Sequence, residues 1–160
     1  MSAHATAHHL IGKVDHTGIT VSSLDHALQF WVGVLGFELL YTTDYSNSPL
    51  LEGIVGVSGA ALKLAMVRGP GHDIELLEYS APTARQILEP RSCDVGSVHL
   101  AFLVRDIDRL LAEIAKHGWH PPGSLQTVAD GERAGLKLAY VRGPDGVTVE
   151  FLEMPSVKSN

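Results

Sequence analysis

The stretch Ala134–Glu153, AGLKLAYVRGPDGVTVEFLE, has a near copy in Ala60–Glu78, AALKLAMVRGPGHDIELLE. From Ala60–Pro70 to Ala134–Pro144 nine of eleven positions are identical. After a one-residue insertion in the second copy, Ile74-Glu75-Leu76 matches Val149-Glu150-Phe151. Each copy reads as two strands joined by a turn, which falls near Arg68-Gly69-Pro70-Gly71 in the first. The chain is therefore a duplication. Each copy also places one carboxylate, Glu75 or Glu150, inside an apolar strand.

Working upstream, the two halves open alike. In Lys13–Ser22, Thr17, Ile19 and Val21 alternate with His16, Gly18 and Thr20. In Ser97–Val104, Val98, Leu100, Phe102 and Val104 alternate with Ser97, His99, Ala101 and Leu103. His16 aligns with His99, Val21 with Val104, Leu24 with Ile107 and Asp25 with Asp108. Ser22-Ser23 then offers a cap for a helix carrying Leu24, Ala27, Leu28, Trp31 and Leu35, with Gly36 as its stop. Asp106 caps a second helix carrying Ile107, Leu110, Leu111, Ile114 and Ala115, closed by Gly118. Phe37–Tyr45 and, more weakly, Leu125–Ala129 read as strands, and Ser48-Pro49 starts a short helix through Ile54.

These elements predict an α+β protein of two βαβββ modules. The expected layout is a flexible arm over 1–11, a module over 12–79, a linker over 80–95, a second module over 96–154 and a tail over 155–160. The linker is expected to hold a turn of helix at Ala84–Leu88. A half this short buries too little surface to stand alone, so the two are expected to pack as one domain. His4, His8 and His9 in the arm read as solvated.

Composition narrows the function. The chain has 160 residues, 45% of them hydrophobic, and a formal net charge of −6 with no basic run, which excludes a phosphate-tracking nucleic-acid partner. The single Cys93 excludes an intramolecular disulfide and a cysteine-based zinc site. No apolar run is long enough to span a bilayer, and MSAHATAHHLIGK lacks the apolar core of a signal peptide, so no membrane partner and a cytoplasmic location are expected.

Four residues carry the chemistry: His16, Glu75, His99 and Glu150. Alternation sets each histidine on the face with smaller or more polar neighbours and separates each glutamate from the bulky residues beside it. Two carboxylates in apolar strands cost on the order of several kcal/mol each unless compensated. One divalent cation per site, held by two imidazoles and two carboxylates, removes that cost. Nitrogen and oxygen donors without thiolate suit zinc, nickel, cobalt, manganese or iron(II). Glu78 and Glu153, at the strand ends, read as solvated.

The segments HTGITVSSLDHALQFWVGVLGF (His16–Phe37), IELLEY (Ile74–Tyr79), VHLAFLVRDID (Val98–Asp108) and RGPDGVTVEFLE (Arg142–Glu153) together resemble the vicinal oxygen chelate superfamily, which groups glyoxalase I, bleomycin-resistance proteins and extradiol dioxygenases. The resemblance implies paired βαβββ modules whose curved mixed sheets form a cleft around a metal. It makes His16, Glu75, His99 and Glu150 the ligands, a set similar to that of bacterial glyoxalase I and close to that of methylmalonyl-CoA epimerase. It further implies proton abstraction beside a metal-polarised carbonyl of a small-molecule substrate by an isomerase, epimerase or lyase, with Glu150 and then Glu75 as the base, and a homodimer. Glu52 matches a second acid–base group of the epimerase type or a solvated carboxylate. Arg68 and Arg142, at equivalent hairpin ends, either cap turns or grip a substrate carboxylate. Tyr140, which matches Met66 of the first copy, stands where iron(II) extradiol dioxygenases carry a tyrosine, and that activity is one alternative. A metal-free drug-binding protein is the other. Phe30-Trp31 departs from the glyoxalase pattern, and no residue set for glutathione or coenzyme A is evident.

Overall fold

A computed structural model of the chain describes residues 10–46 and 48–155. The arm histidines His4, His8 and His9, and tail residues 156–160, lie outside the described residues.

The duplication folds into two four-stranded mixed sheets. In the first half come β1 (His16–Thr20), α1 (Leu24–Leu28), β2 (Glu38–Asp44), α2 (Pro49–Val55), β3 (Ala61–Gly69) and β4 (His72–Ala81), with sheet order β1-β4-β3-β2. In the second come β5 (His99–Leu103), α3 (Ile107–Ala115), β6 (Gln126–Thr127), β7 (Lys137–Arg142) and β8 (Thr148–Glu153), with sheet order β5-β8-β7-β6. Each opening strand pairs in parallel with the last strand of its own half, and the remaining pairs are antiparallel. This is the α+β, βαβββ-repeat architecture expected from the sequence.

Several boundaries differ from the sequence reading for identifiable reasons. The opening strand starts at His16 rather than Lys13; in its register with β4, which starts at His72, residues 13 and 14 have nothing to pair with. Likewise β5 starts at His99 because β8 starts at Thr148. The single helix read through Leu35 is instead α1 followed by a π-helical stretch, Gln29–Val34, in which the Leu35 N–H reaches the Phe30 carbonyl. Within this stretch the adjacent Phe30 and Trp31 are both fully buried. Ala84–Leu88 forms no helix. The seven residues between Pro82 and Pro90 are too few to nucleate one without a face to pack.

Caps follow the sequence. Ser23, Ser48 and Asp106 each accept an N–H of the first turn of α1, α2 and α3 respectively. Glu78 and Glu153 are corrected. Glu78 Oε2 accepts the Leu24 N–H at 2.6 Å, and Glu153 Oε2 accepts the Ile107 N–H at 2.7 Å. Each glutamate thus ties its module's last strand to the start of that module's helix, as a charge-assisted cap rather than a solvated group.

One core joins the halves. Leu24, Ala27, Phe30 and Trp31 pack with Ala65, Val67, Ile74 and Leu76 of the first sheet, with Ile107 and Ile114 of α3, and with Val141, Val149 and Phe151 of the second sheet. Aromatic contacts close the seam: Phe30 meets Trp119 edge-on at 4.9 Å, and Phe37 meets Phe102 at 5.6 Å. The inserted residue of the second hairpin adds a polar clasp. Asp145, at φ 53°, accepts the Ser22 N–H from the first half at 2.7 Å. The helix-covered faces of both sheets therefore turn toward a shared core, leaving their opposite faces for the histidines and glutamates. No described helix is long and apolar enough to cross a membrane.

Candidate metal centre

Within each sheet, pairing register builds one histidine–glutamate pair. In the first, Gly18 lies opposite Glu75, and His16, two residues earlier on β1, reaches across so that its Nε2 is 3.4 Å from Glu75 Oε2. In the second, Ala101 lies opposite Glu150, and His99 Nε2 is 3.2 Å from Glu150 Oε2. Residues without long side chains, Gly18 and Ala101, thus stand beside each carboxylate and leave the imidazole access to it. The flanking residues point the other way and are buried: Ile74, Leu76 and Val149 fully, Phe151 nearly so.

The donor set fits a divalent cation. Two donors bound to one ion at about 2.1 Å and at near-tetrahedral or octahedral angles lie about 3.0–3.4 Å apart. The two observed separations fall in or beside that interval. Asp15 sharpens the first pair. Its Oδ2 is 2.9 Å from His16 Nδ1, which places a proton on Nδ1 and turns the Nε2 lone pair toward Glu75. A lone pair and a carboxylate facing each other require a cation or a second proton between them. The hydrogen bond to Asp15 accordingly raises the His16 pKa, against an opposing effect of burial and with further help from the Glu75 charge. Asp15 shifts the other way, held low chiefly by the same bond.

Each pair has a different neighbour. Met66 is the cross-strand partner of Glu75 and is buried, whereas Tyr140 partners Glu150 and its ring lies 5.2 Å from that of His99. The two hairpin arginines also differ. Arg68 grips Asp73 through Nε (2.8 Å) and Nη2 (2.7 Å). Arg142 donates from Nη1 to the Gly146 carbonyl at 2.9 Å and to Thr148 Oγ1 at 2.7 Å. Glu52 is exposed on α2, whose Leu51 packs on Leu62 and Leu64 along the face that carries Glu75.

The four expected ligands are brought together two by two. Among the described residues, no three of His, Cys, Asp and Glu converge on one point. Both pairs keep solvent contact: the side chains of His16 and Glu75 are 33% and 22% exposed, and those of His99 and Glu150 are 43% and 13% exposed. Sequence reasoning missed Asp15 and the two capping glutamates. The caps had a visible signal, since both copies carry a second glutamate three residues after the site glutamate.

Comparison with known proteins agrees with this architecture. Residues 13–151 match the family model described as the Glyoxalase/Bleomycin resistance protein/Dioxygenase superfamily. The chain is 35% identical over 147 residues to a 2-epi-5-epi-valiolone epimerase of an Actinomyces species, covering 89% of this chain and 80% of that protein. It is 26% identical to a lactoylglutathione lyase of Haemophilus influenzae, covering 92% of this chain and 96% of the relative. A crystal structure of a glyoxalase family protein from Bacillus cereus superposes with a TM-score of 0.78 at 26% identity, covering 91% of this chain and 96% of that one.

Proposed function

Because the chain belongs to the glyoxalase/bleomycin resistance protein/dioxygenase superfamily, we propose that it is a divalent-metal-dependent isomerase, epimerase or lyase acting by proton transfer beside a carbonyl. The observation that carries this reading is the duplicated His–Glu pair, with the His16 lone pair and the Glu75 carboxylate set against each other at 3.4 Å. Epimerisation is placed first because the epimerase relative is 35% identical across most of both chains. The compound in that relative's name, 2-epi-5-epi-valiolone, is a ketone, and a ketone is the substrate class proposed here.

His16, Glu75, His99 and Glu150 would hold the cation. A bound divalent ion supplies Lewis acidity to the substrate carbonyl. Glu150 takes the proton from the adjacent carbon onto a carboxylate oxygen, and the electron pair of the broken C–H bond moves to the carbonyl oxygen. Glu75, once it has taken a proton from solvent, would deliver it to the opposite face and invert that carbon, while Glu150 returns its proton to solvent. Where the deprotonated carbon bears a hydroxyl, passage of the hydroxyl proton to the former carbonyl oxygen and return of the Glu150 proton to the former carbonyl carbon isomerise the substrate instead.

The centre is read as shared between two copies. The two pairs lie on faces turned away from the common core, and neither reaches four ligands within the described chain. A homodimer that sets the His16/Glu75 face of one copy against the His99/Glu150 face of the other completes two sites at once.

A second reading, an iron(II) dioxygenase using His16, His99 and Glu150, is favoured by the contact of Tyr140 with His99. One experiment separates the two. The chain loaded in turn with zinc, nickel, cobalt, manganese and iron(II) is incubated in D2O with cyclic and open-chain α-hydroxyketones, and oxygen uptake is followed with catechol. The proposal expects α-deuterium incorporation that falls about 10²–10⁴-fold in Glu150→Gln. Oxygen uptake with catechol and no deuterium exchange would instead establish the dioxygenase.

A further inference from the structure

We infer that the substrate carries an anionic group, a carboxylate or a phosphate, that is gripped by Arg142. The duplication supplies the argument. In the first sheet His16, Asp73 and Arg68 lie side by side in one cross-strand row, next to the row that holds Glu75. In the second sheet the corresponding row is His99, Thr148 and Arg142, next to the row that holds Glu150. Both arginines therefore project from the face that bears the site glutamate. Adjacent strands are about 4.8 Å apart, which puts Arg142 roughly 10 Å from His99 along the row.

The two rows differ at one residue. Where the first has Asp73, the second has Thr148. Arg68 uses its Nε/Nη2 edge, the edge that fits two oxygens of one carboxylate, to bind Asp73 at 2.8 and 2.7 Å. Arg142 is anchored differently. Its Nη1 is spent on the Gly146 carbonyl and Thr148 Oγ1, and on its Nε/Nη2 edge the recorded partner is Ser92 Oγ, 3.4 Å from Nη2. The guanidinium is thus held in place from one side, while among the described residues its bidentate edge is bonded to no carboxylate.

Among the described residues the nearby acids make no ion pair with Arg142, although Asp94 feels its charge. Asp94 is bound to Arg91 through side-chain and backbone contacts, and Asp145 accepts the Ser22 N–H. Glu89 lines a cavity of about 420 Å³ beside Arg142, together with Arg91, His26 and Trp119, and forms no ion pair among the described residues. A fixed guanidinium with an open two-donor edge on the substrate face is a recognition point for two oxygens of one anion. The inference rests on the proposed function only in treating this face as the substrate face.

The test reads Arg142 itself. The Nε–H resonance of Arg142 in 15N-labelled full-length protein is followed during titration with inorganic phosphate and, separately, with acetate, with and without the divalent metal. The proposal expects saturable shifts for at least one anion under both metal conditions, and the tighter of the two names the group. Arg142→Gln should weaken the binding, read by calorimetry, at least tenfold. Thr148→Asp, which copies the closed arrangement of Arg68 with Asp73, should do the same, while Arg68→Gln should leave it unchanged. Shifts only in the metal-loaded protein would mean that the anion binds the metal, and would overturn the inference without touching the proposed reaction. Absence of shifts with both anions, or equal affinity in Arg142→Gln, would overturn it as well. Failure of the protein to bind any metal, with Arg142 still responding, would instead count against the proposed function alone.

Discussion

Oδ2 of Asp15 lies 2.9 Å from Nδ1 of His16 and so decides which imidazole nitrogen is free to bind a cation. Asp15 itself is exposed and touches neither Glu75 nor the second pair, so its effect passes through His16. Asp15→Ala is expected to leave the fold intact and to weaken metal binding about 10–100-fold, measured by calorimetric titration of the chelated protein. Unchanged affinity would show that His16 does not bind through Nε2. The second pair offers an internal comparison, because His99 is preceded by Val98 and has no such carboxylate beside it.

Removing a capping glutamate should cost stability without disturbing the site. Glu78→Ala strips the acceptor from the Leu24 N–H and Glu153→Ala that from the Ile107 N–H. Each is expected to lower unfolding stability by about 0.5–2 kcal/mol, measured by urea denaturation. The two caps lie in different modules, so their effects should add within about 0.5 kcal/mol. A negligible loss would return both carboxylates to the solvated role that the sequence suggests.

Glycines differ in what surrounds them, and this can be tested by a single methyl group. A Cβ at Gly69 would lie 2.3 Å from the buried ring of Phe37, so Gly69→Ala must displace that ring. It is expected to destabilise the protein by about 1–3 kcal/mol in a denaturation measurement. At Gly18 the nearest atoms to a Cβ are Leu77 Cδ1 at 3.5 Å and Glu75 Oε2 at 3.7 Å, ordinary contacts. Gly18→Ala reproduces Ala101 of the other module and should stay within about 0.5 kcal/mol of the parent while retaining metal binding.

Cutting the polar clasp between modules should loosen their docking more than either module. Asp145→Asn keeps a residue that tolerates the positive φ of this turn but removes the charge that accepts the Ser22 N–H. Hydrogen exchange is expected to speed up at the Ser22 N–H, with amides of β3 and β8 unchanged. Uniform acceleration across the chain would mean that the clasp supports the whole fold.

Much of this structure was legible in the residues because the chain states its pattern twice. The repeat around Glu75 and Glu150, the alternation about His16 and His99, and the caps at Ser23, Ser48 and Asp106 each specify local geometry directly. The parts that were not legible depend on partners distant in sequence. The strand start at His99 was set by where β8 begins, and the π-helical stretch Gln29–Val34 left no mark in a pattern that reads as one continuous helix. Glu78 looked solvated because its partner, the Leu24 N–H, lies 54 positions away. The four site residues were readable as a set, whereas their division into two pairs depends on how the modules pack, which no local pattern encodes.

The central claim is that His16 and Glu75 of one copy share a cation with His99 and Glu150 of another. It is tested by co-expressing two differently tagged variants, His16→Ala/Glu75→Gln and His99→Ala/Glu150→Gln, and measuring metal in the doubly tagged complex. Each variant alone should hold no metal at this centre. The mixed dimer contains one intact combination of faces and should hold about half an ion per chain, where the parent protein holds about one. A mixed dimer without metal, or either variant alone retaining the full complement, would contradict the account.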